Sequence, residues 1–227
     1  MSECHVRERT IETDDGVELA ATTFESGGGA GSTIVVNSAL AMPRQYYGRI
    51  ARWFARRGYR VVTYDYRGIG DSAPEDLRGC DVTAAQWADH DMFSVIRWAR
   101  RHVDARRLVV IGHSLGGQMM GLLGGRVEVD AMATFSAQTG YWRLQFPGHR
   151  LRLLLGMGLV FPVVTRLFGY MPWSKIFGGE DIPKPAALQW MRWCTDPDYL
   201  LGDESLDGRG NFARFSAPIL AYSFDDD

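Results

Sequence analysis

Residues 108–117 read Leu-Val-Val-Ile-Gly-His-Ser-Leu-Gly-Gly, and the order of residue types within them decides the fold. Leu108–Ile111 is a short run with no polar position and two valines, the composition of a strand buried on both faces. Gly112-His-Ser-Leu-Gly116 follows at once and fits G-x-S-x-G, and Gly117–Leu123 reads as the start of a helix. A serine at a strand-to-helix turn, with glycine two residues to either side, is the pattern of a nucleophile elbow. The turn strains the serine backbone and exposes its hydroxyl, and the glycines let strand and helix approach without Cβ clashes. The Leu115 amide, at the helix start, then points toward a developing oxyanion.

Working outward, Thr33–Val36, Val61–Tyr64, Ala131–Phe135 and Ile219–Tyr222 are further short apolar runs. Between them lie helical periodicities: Tyr47, Ile50, Ala51 and Phe54, then Ala88, Met92, Val95, Ile96 and Ala99, each with arginines on the other side. This alternation predicts an α/β fold, a mostly parallel sheet with helices on both faces. The start differs, because Arg7–Thr13 and Val17–Phe24 flank Asp14-Asp15-Gly16 as a hairpin. The glycine run 27–31 precedes a strand, so it reads as a flexible connection and not as a phosphate loop. The rhythm breaks at 138–214, which has two helical stretches and no convincing strand. The expected organisation is therefore a core over 1–137, a helical cap insertion over 138–214 and a return to the core over 215–227.

Composition narrows the function classes. With 227 residues, 46% hydrophobic and 23% charged, the chain can bury a core without disulfides or metals. Its 25 basic and 27 acidic residues give a net charge of −2, and without a basic stripe nucleic acid is not an expected partner. Cys4, Cys80 and Cys194 are odd in number and far apart, and the polar start lacks an apolar h-region. A cytoplasmic protein is the expectation. The apolar stretch Leu153–Thr165 lies between Arg152 and Arg166. Crossing a bilayer takes about 20 residues, so a buried or interfacial helix, bent or ended at Pro162, is expected and no transmembrane span. No metal-ligand spacing, nucleotide fingerprint or cofactor lysine motif appears, and no cofactor is expected.

A second motif makes a resemblance specific. Asp65-Tyr-Arg-Gly-Ile-Gly-Asp-Ser72 follows the strand Val61–Tyr64 and resembles the D-x-R-G-x-G-x-S segment of α/β-hydrolases. With GHSLGG at 112–117 it is similar to the serine aminopeptidase/monoglyceride-lipase-like branch, and more narrowly to uncharacterised bacterial α/β-hydrolases. Tyr141-Trp-Arg, Gly169-Tyr-Met-Pro172, Gly179-Glu-Asp-Ile-Pro183 and Trp190-Met-Arg-Trp-Cys194 resemble that group's cap. The resemblance implies the α/β-hydrolase fold and acyl transfer from an ester, thioester or amide through an acyl-enzyme on Ser114, normally to water. It implies oxyanion amides at Leu115 and at Ala39 or Leu40, in the loop where the family often has His-Gly. The cap's apolar helix, with Trp142, Trp173, Trp190 and Trp193, suggests a small-molecule substrate carrying an apolar acyl or aromatic group. The plainer alternative is that these side chains pack the cap onto the core.

The same resemblance places the acid at Asp227, with Asp225 and Asp226 as close alternatives. The family's order is Ser, acid, then His. Every histidine here (His5, His90, His102, His113, His149) precedes Pro218. Loss of a triad member typically leaves only about 10³–10⁴-fold acceleration over water. Three expectations follow: a C-terminally truncated form of a longer enzyme, short by about 50 residues on βαβ-unit size; a catalytically inactive binding protein; or an acyltransferase.

Overall fold

The computed structural model describes residues 3–27, 31–102 and 106–224. Positions 28–30 of the glycine run and Asp225, Asp226 and Asp227 lie outside the described residues. The strands are β1 (Cys4–Glu12), β2 (Glu18–Ser26), β3 (Ser32–Asn37), β4 (Arg60–Tyr64), β5 (Arg107–His113), β6 (Ala131–Phe135), β7 (Tyr170–Met171), β8 (Ile182–Pro183) and β9 (Ile219–Tyr222). Seven form one sheet in the order β1-β2-β4-β3-β5-β6-β9, with β7 and β8 pairing separately. The hairpin β1–β2 and the β2–β4 pair are antiparallel, and every pair from β4 to β9 is parallel. The α/β class read from the sequence is therefore the observed one.

The apolar runs are two-sided because the sheet has a core on each face. Successive residues of β3 alternate between them: Ile34 and Val36 pack under α1 (Gly48–Ala55), whereas Val35 joins the larger core with Val62, Leu108 and Val110. The larger core is roofed by α2 (Ala84–Gln86), a π turn and α3 (Phe93–His102). At the far edge the coverage thins. On the α1 side Ile111, His113 and Phe135 line an apolar cleft of about 240 Å³ with Tyr47, Ile50 and Phe54. β9 is the edge strand, stacking Tyr222 on Phe135 with centroids 4.9 Å apart.

The helix after the elbow serine starts earlier than its composition suggests. It comprises α4 (Leu115–Gln118) and a 3-10 stretch to Arg126, broken at Gly124. Between β6 and β9 lie α5 (Arg150–Leu155), α6 (Phe161–Phe168), α7 (Lys184–Thr195) and α8 (Gly208–Arg214). Two expectations need correction here. The segment is not free of strands, since β7 and β8 pair antiparallel; two residues each are too few to show an alternating pattern. Nor does Pro162 end the apolar helix, because α5 and α6 join into one 19-residue helix, Arg150–Phe168, of mean hydropathy 1.7. By length and composition it could cross a membrane, unlike the shorter apolar stretch within it. A proline ring collides with the carbonyl four residues back. The π turn over Gly156–Val160 relaxes the backbone just there, and the helix runs through.

This segment has no separate core. Met171, Ile182, Met191 and Trp193 belong to the same buried cluster as Leu115 and Met119 beside the elbow. Trp193 Nε1 and Gln189 Nε2 both donate to Asp203, at 2.8 and 2.9 Å. Trp173 and Trp190 pack edge to face, 5.7 Å apart. These contacts fit the packing reading of the tryptophans.

Candidate active site

Ser114 stands at φ 49° and ψ −121°, between the end of β5 and the first residue of α4. An L-residue held in so sparse a region costs about 1–3 kcal/mol, so the surroundings must impose it. They do so from three sides. The Ser114 N–H donates to the Phe135 carbonyl of β6 at 2.9 Å, and the Ser114 carbonyl accepts from Gly117 and Gln118 at 2.9 and 3.1 Å. A Cβ at Gly112 would stand 2.5 Å from the Gly117 Cα, and one at Gly117 would stand 2.7 Å from the Ala137 Cβ. At Gly116 a Cβ would collide with the Asn37 and Ser38 carbonyl oxygens. The three glycines thus let β5, α4 and the loop after β3 close on one another. The Ser114 side chain is half-exposed, and among the described residues its hydroxyl makes no hydrogen bond.

The loop after β3, Asn37–Leu40, is fixed by tyrosines that sequence reasoning passed over. Tyr64 donates to Asn37 Oδ1 at 2.8 Å, and Asn37 Nδ2 reaches the Gly116 carbonyl at 3.5 Å. The Tyr66 hydroxyl donates to the Ser38 carbonyl at 3.3 Å. The Ala39 amide donates to the Tyr47 hydroxyl at 2.8 Å. Of the two amides considered for an oxyanion, Ala39's is therefore already engaged. Among the described residues, neither the Leu40 nor the Leu115 amide makes a hydrogen bond.

Tyr47 also sets the orientation of His113. Its hydroxyl accepts from Ala39 and lies 2.9 Å from His113 Nδ1, within hydrogen-bond distance of the imidazole. Burial raises the Tyr47 pKa well above the usual phenol range, which keeps the hydroxyl a donor. Tyr47→Phe removes both contacts and orphans a buried amide, and we expect a stability loss of about 1–3 kcal/mol, read by thermal melting. An unchanged melting temperature would show that the loop does not depend on this hydroxyl.

His113 thus faces the α1 side, into the apolar cleft. His90 Nδ1 lies 2.9 Å from Asp14, and His102 stacks on Trp98. His5 is on β1 and His149 precedes α5, exposed. The acid candidates follow β9, which lies parallel to β5 with β6 between them. Phe135 and Tyr222 are in register, so the end of β9 at Tyr222 is the end of the sheet where Ser114 stands; Asp225, Asp226 and Asp227 themselves lie outside the described residues.

The other motif is a clamp. Asp65, fully buried, accepts from the Arg44 backbone and Nη1, both at 2.5 Å, and from the Asp71 amide at 3.1 Å. Arg67 donates through its backbone and Nε to buried Asp91 at 2.8 and 2.6 Å, and its other nitrogens grip Asp15 at 2.7 and 2.8 Å. Gly70 has φ 53°, where a Cβ would stand 2.7 Å from Asp65 Oδ2. Ser72 Oγ donates to the Asp65 carbonyl and accepts from Ala20. These residues tie the loop after β4 to the β1–β2 hairpin and the 84–102 helix. Ligand atoms of Asp14, Asp15 and His90 fall within 4.8 Å of one another, but Asp15 is committed to Arg67 and His90 to Asp14.

Comparison with known proteins supports the fold. The family model described as alpha/beta hydrolase fold matches residues 27–149. An uncharacterised 31.7 kDa protein from the traX-finO intergenic region of Escherichia coli is 42% identical over 69 residues, 30% of this chain and 23% of that protein. The polyketide transferase GrgF of a Penicillium species is 28% identical over 110 residues, 47% of this chain and 36% of that one. A crystal structure of GrgF from Penicillium sp. sh18 aligns with TM-score 0.54 and 24% identity, covering 83% of this chain and 64% of that one. In each case the match spans less than two thirds of the relative's own length.

Proposed function

The chain belongs to the alpha/beta hydrolase fold family, and on that premise we propose that it is a serine hydrolase acting on an ester, thioester or amide. The observation that carries this is Ser114, held at φ 49° with its hydroxyl half-exposed at the head of α4. In the proposed reaction Oγ attacks the acyl carbon, the oxyanion is received by the Leu115 and Leu40 amides, and the leaving group departs protonated. Water then hydrolyses the acyl-enzyme. Asp227, with Asp225 and Asp226 as alternatives, is the proposed acid. The narrower proposal is the serine aminopeptidase/monoglyceride-lipase-like branch, with residues 138–214 as a cap over a substrate bearing an apolar acyl or aromatic group. The proposed mechanism needs a histidine base, and hydrogen-bond contacts hold His113 on Tyr47 and His90 on Asp14. That pair of contacts favours a second reading, a hydrolase-fold protein that binds ligand without turnover.

A fluorophosphonate probe tests the proposal on the protein expressed from its complete gene. Labelling of the wild type and none of Ser114→Ala is the expected result. Equal labelling of both would reject Ser114 as the nucleophile, and no labelling of either would favour the binding protein.

A further inference from the structure

The helix Arg150–Phe168 breaks the rule that a surface helix turns its polar face to water. Gly156 and Thr165 are buried, and Met157 and Phe161 are half-buried and pack against the main core. Its exposed positions include Leu151, Leu155, Leu159, Val163 and Leu167, one every fourth residue, and Leu151, Leu159 and Leu167 are 66%, 59% and 78% exposed. Leu144, Phe146, Ile176 and Phe177, outside the helix, are exposed as well. So large a set of exposed apolar side chains in one segment marks an interaction surface.

Charge identifies what the surface meets. Between Asp130 and Glu180 the sequence holds no aspartate or glutamate, yet it holds Arg143, Arg150, Arg152, Arg166 and Lys175. Among the described residues none of these five forms an ion pair. A second copy docking here would bring like charges together, whereas an anionic lipid surface would neutralise them. Gly156 and Thr165 are buried against the body of the protein, so one side of the helix is in contact with protein and the exposed leucine side is the one left for a lipid surface. We propose that the Arg150–Phe168 helix lies in the plane of an anionic bilayer, its leucine stripe at the acyl boundary and its arginines among the phosphates. This surface does not depend on catalysis by Ser114.

The test is flotation of the complete protein with vesicles of phosphatidylcholine, alone or mixed with phosphatidylglycerol. Binding is expected to the mixed vesicles and to weaken with added salt. The triple variant L151E/L159E/L167E should bind on the order of 100-fold more weakly, from the apolar area withheld. Replacing Arg150, Arg152 and Arg166 by glutamine should cost about fivefold per charge on mixed vesicles. The three leucines, Arg152 and Arg166 are exposed, whereas Arg150 is half-buried with its Nε donating to the Gln145 carbonyl at 2.9 Å. Melting temperatures should stay near wild type for the leucine variant and for R152Q/R166Q, and if the triple leucine variant does not fold, Leu159→Glu alone gives the same comparison. Failure of the wild type to float on mixed vesicles overturns the proposal. So does a dimer in sedimentation equilibrium that the glutamates split, which would make a second copy the occupant.

Discussion

Gly116→Ala is expected to destabilise the protein by about 3–5 kcal/mol, lowering Tm by about 10 °C. The sign is opposite to the usual one, since alanine in a helix is ordinarily better than glycine by about 1 kcal/mol. Gly116 is the second residue of α4, and a Cβ there would stand 2.5 Å from the Ser38 oxygen and closer still to that of Asn37. Both obstacles are backbone, so no side chain can swing away. The loop they belong to is held by the Tyr64, Tyr66 and Tyr47 hydroxyls, and its retreat would break those bonds. Gly125→Ala is the control, because its Cβ would meet nothing nearer than 4.0 Å. It should shift stability by less than about 1 kcal/mol. Equal melting of the two variants would mean that the loop yields and the close approach is not a constraint.

The elbow was legible in sequence because its physics is local. A serine forced to positive φ needs glycines at fixed offsets, and those offsets survive in one dimension. The strands were legible because both of their faces are buried, as Ile34, Val35 and Val36 illustrate. What the sequence hid was mostly long-range. Tyr47 lies 66 residues from His113, and nothing in its neighbourhood announces that its hydroxyl will occupy the Ala39 amide. The continuity of the helix past Pro162 depends on a π turn, which has no composition of its own beyond Gly156 and Gly158. The D-x-R-G-x-G-x-S segment was legible as a family mark but not as a clamp, since Asp15 and Asp91 lie 52 and 24 residues from Arg67.

That clamp supports the second large prediction. Arg67→Met is expected to cost about 3–5 kcal/mol at neutral pH, because it leaves Asp91 buried without its partner. Asp91 is fully buried, and burial already raises its pKa; only Arg67 works against that rise. Without the guanidinium the folded-state pKa climbs further above the unfolded value of about 3.9. Across that window the folded variant binds more protons than the unfolded chain, so its stability falls as pH rises from about 4. Asp15 acts in the same direction on the difference between the two proteins. Hydrogen bonding to Arg67 holds its pKa well below the usual carboxylate range, which stabilises the wild type above pH 4 and is lost in the variant. The Asp15 part of the deficit is therefore nearly complete by pH 4 and shrinks only below it. The Asp91 part starts from a wild-type pKa already pushed up to about 7 and opens above that pH. The deficit should thus be largest above pH 7, as read from melting curves from pH 4 upward. Adding Asp91→Asn should recover much of it, since a neutral amide oxygen can still accept the residue 67 backbone N–H that now donates to Asp91 at 2.8 Å. A variant that melts with wild type from pH 5 to 8 would show that the hairpin, the loop after β4 and the 84–102 helix are held together by packing alone.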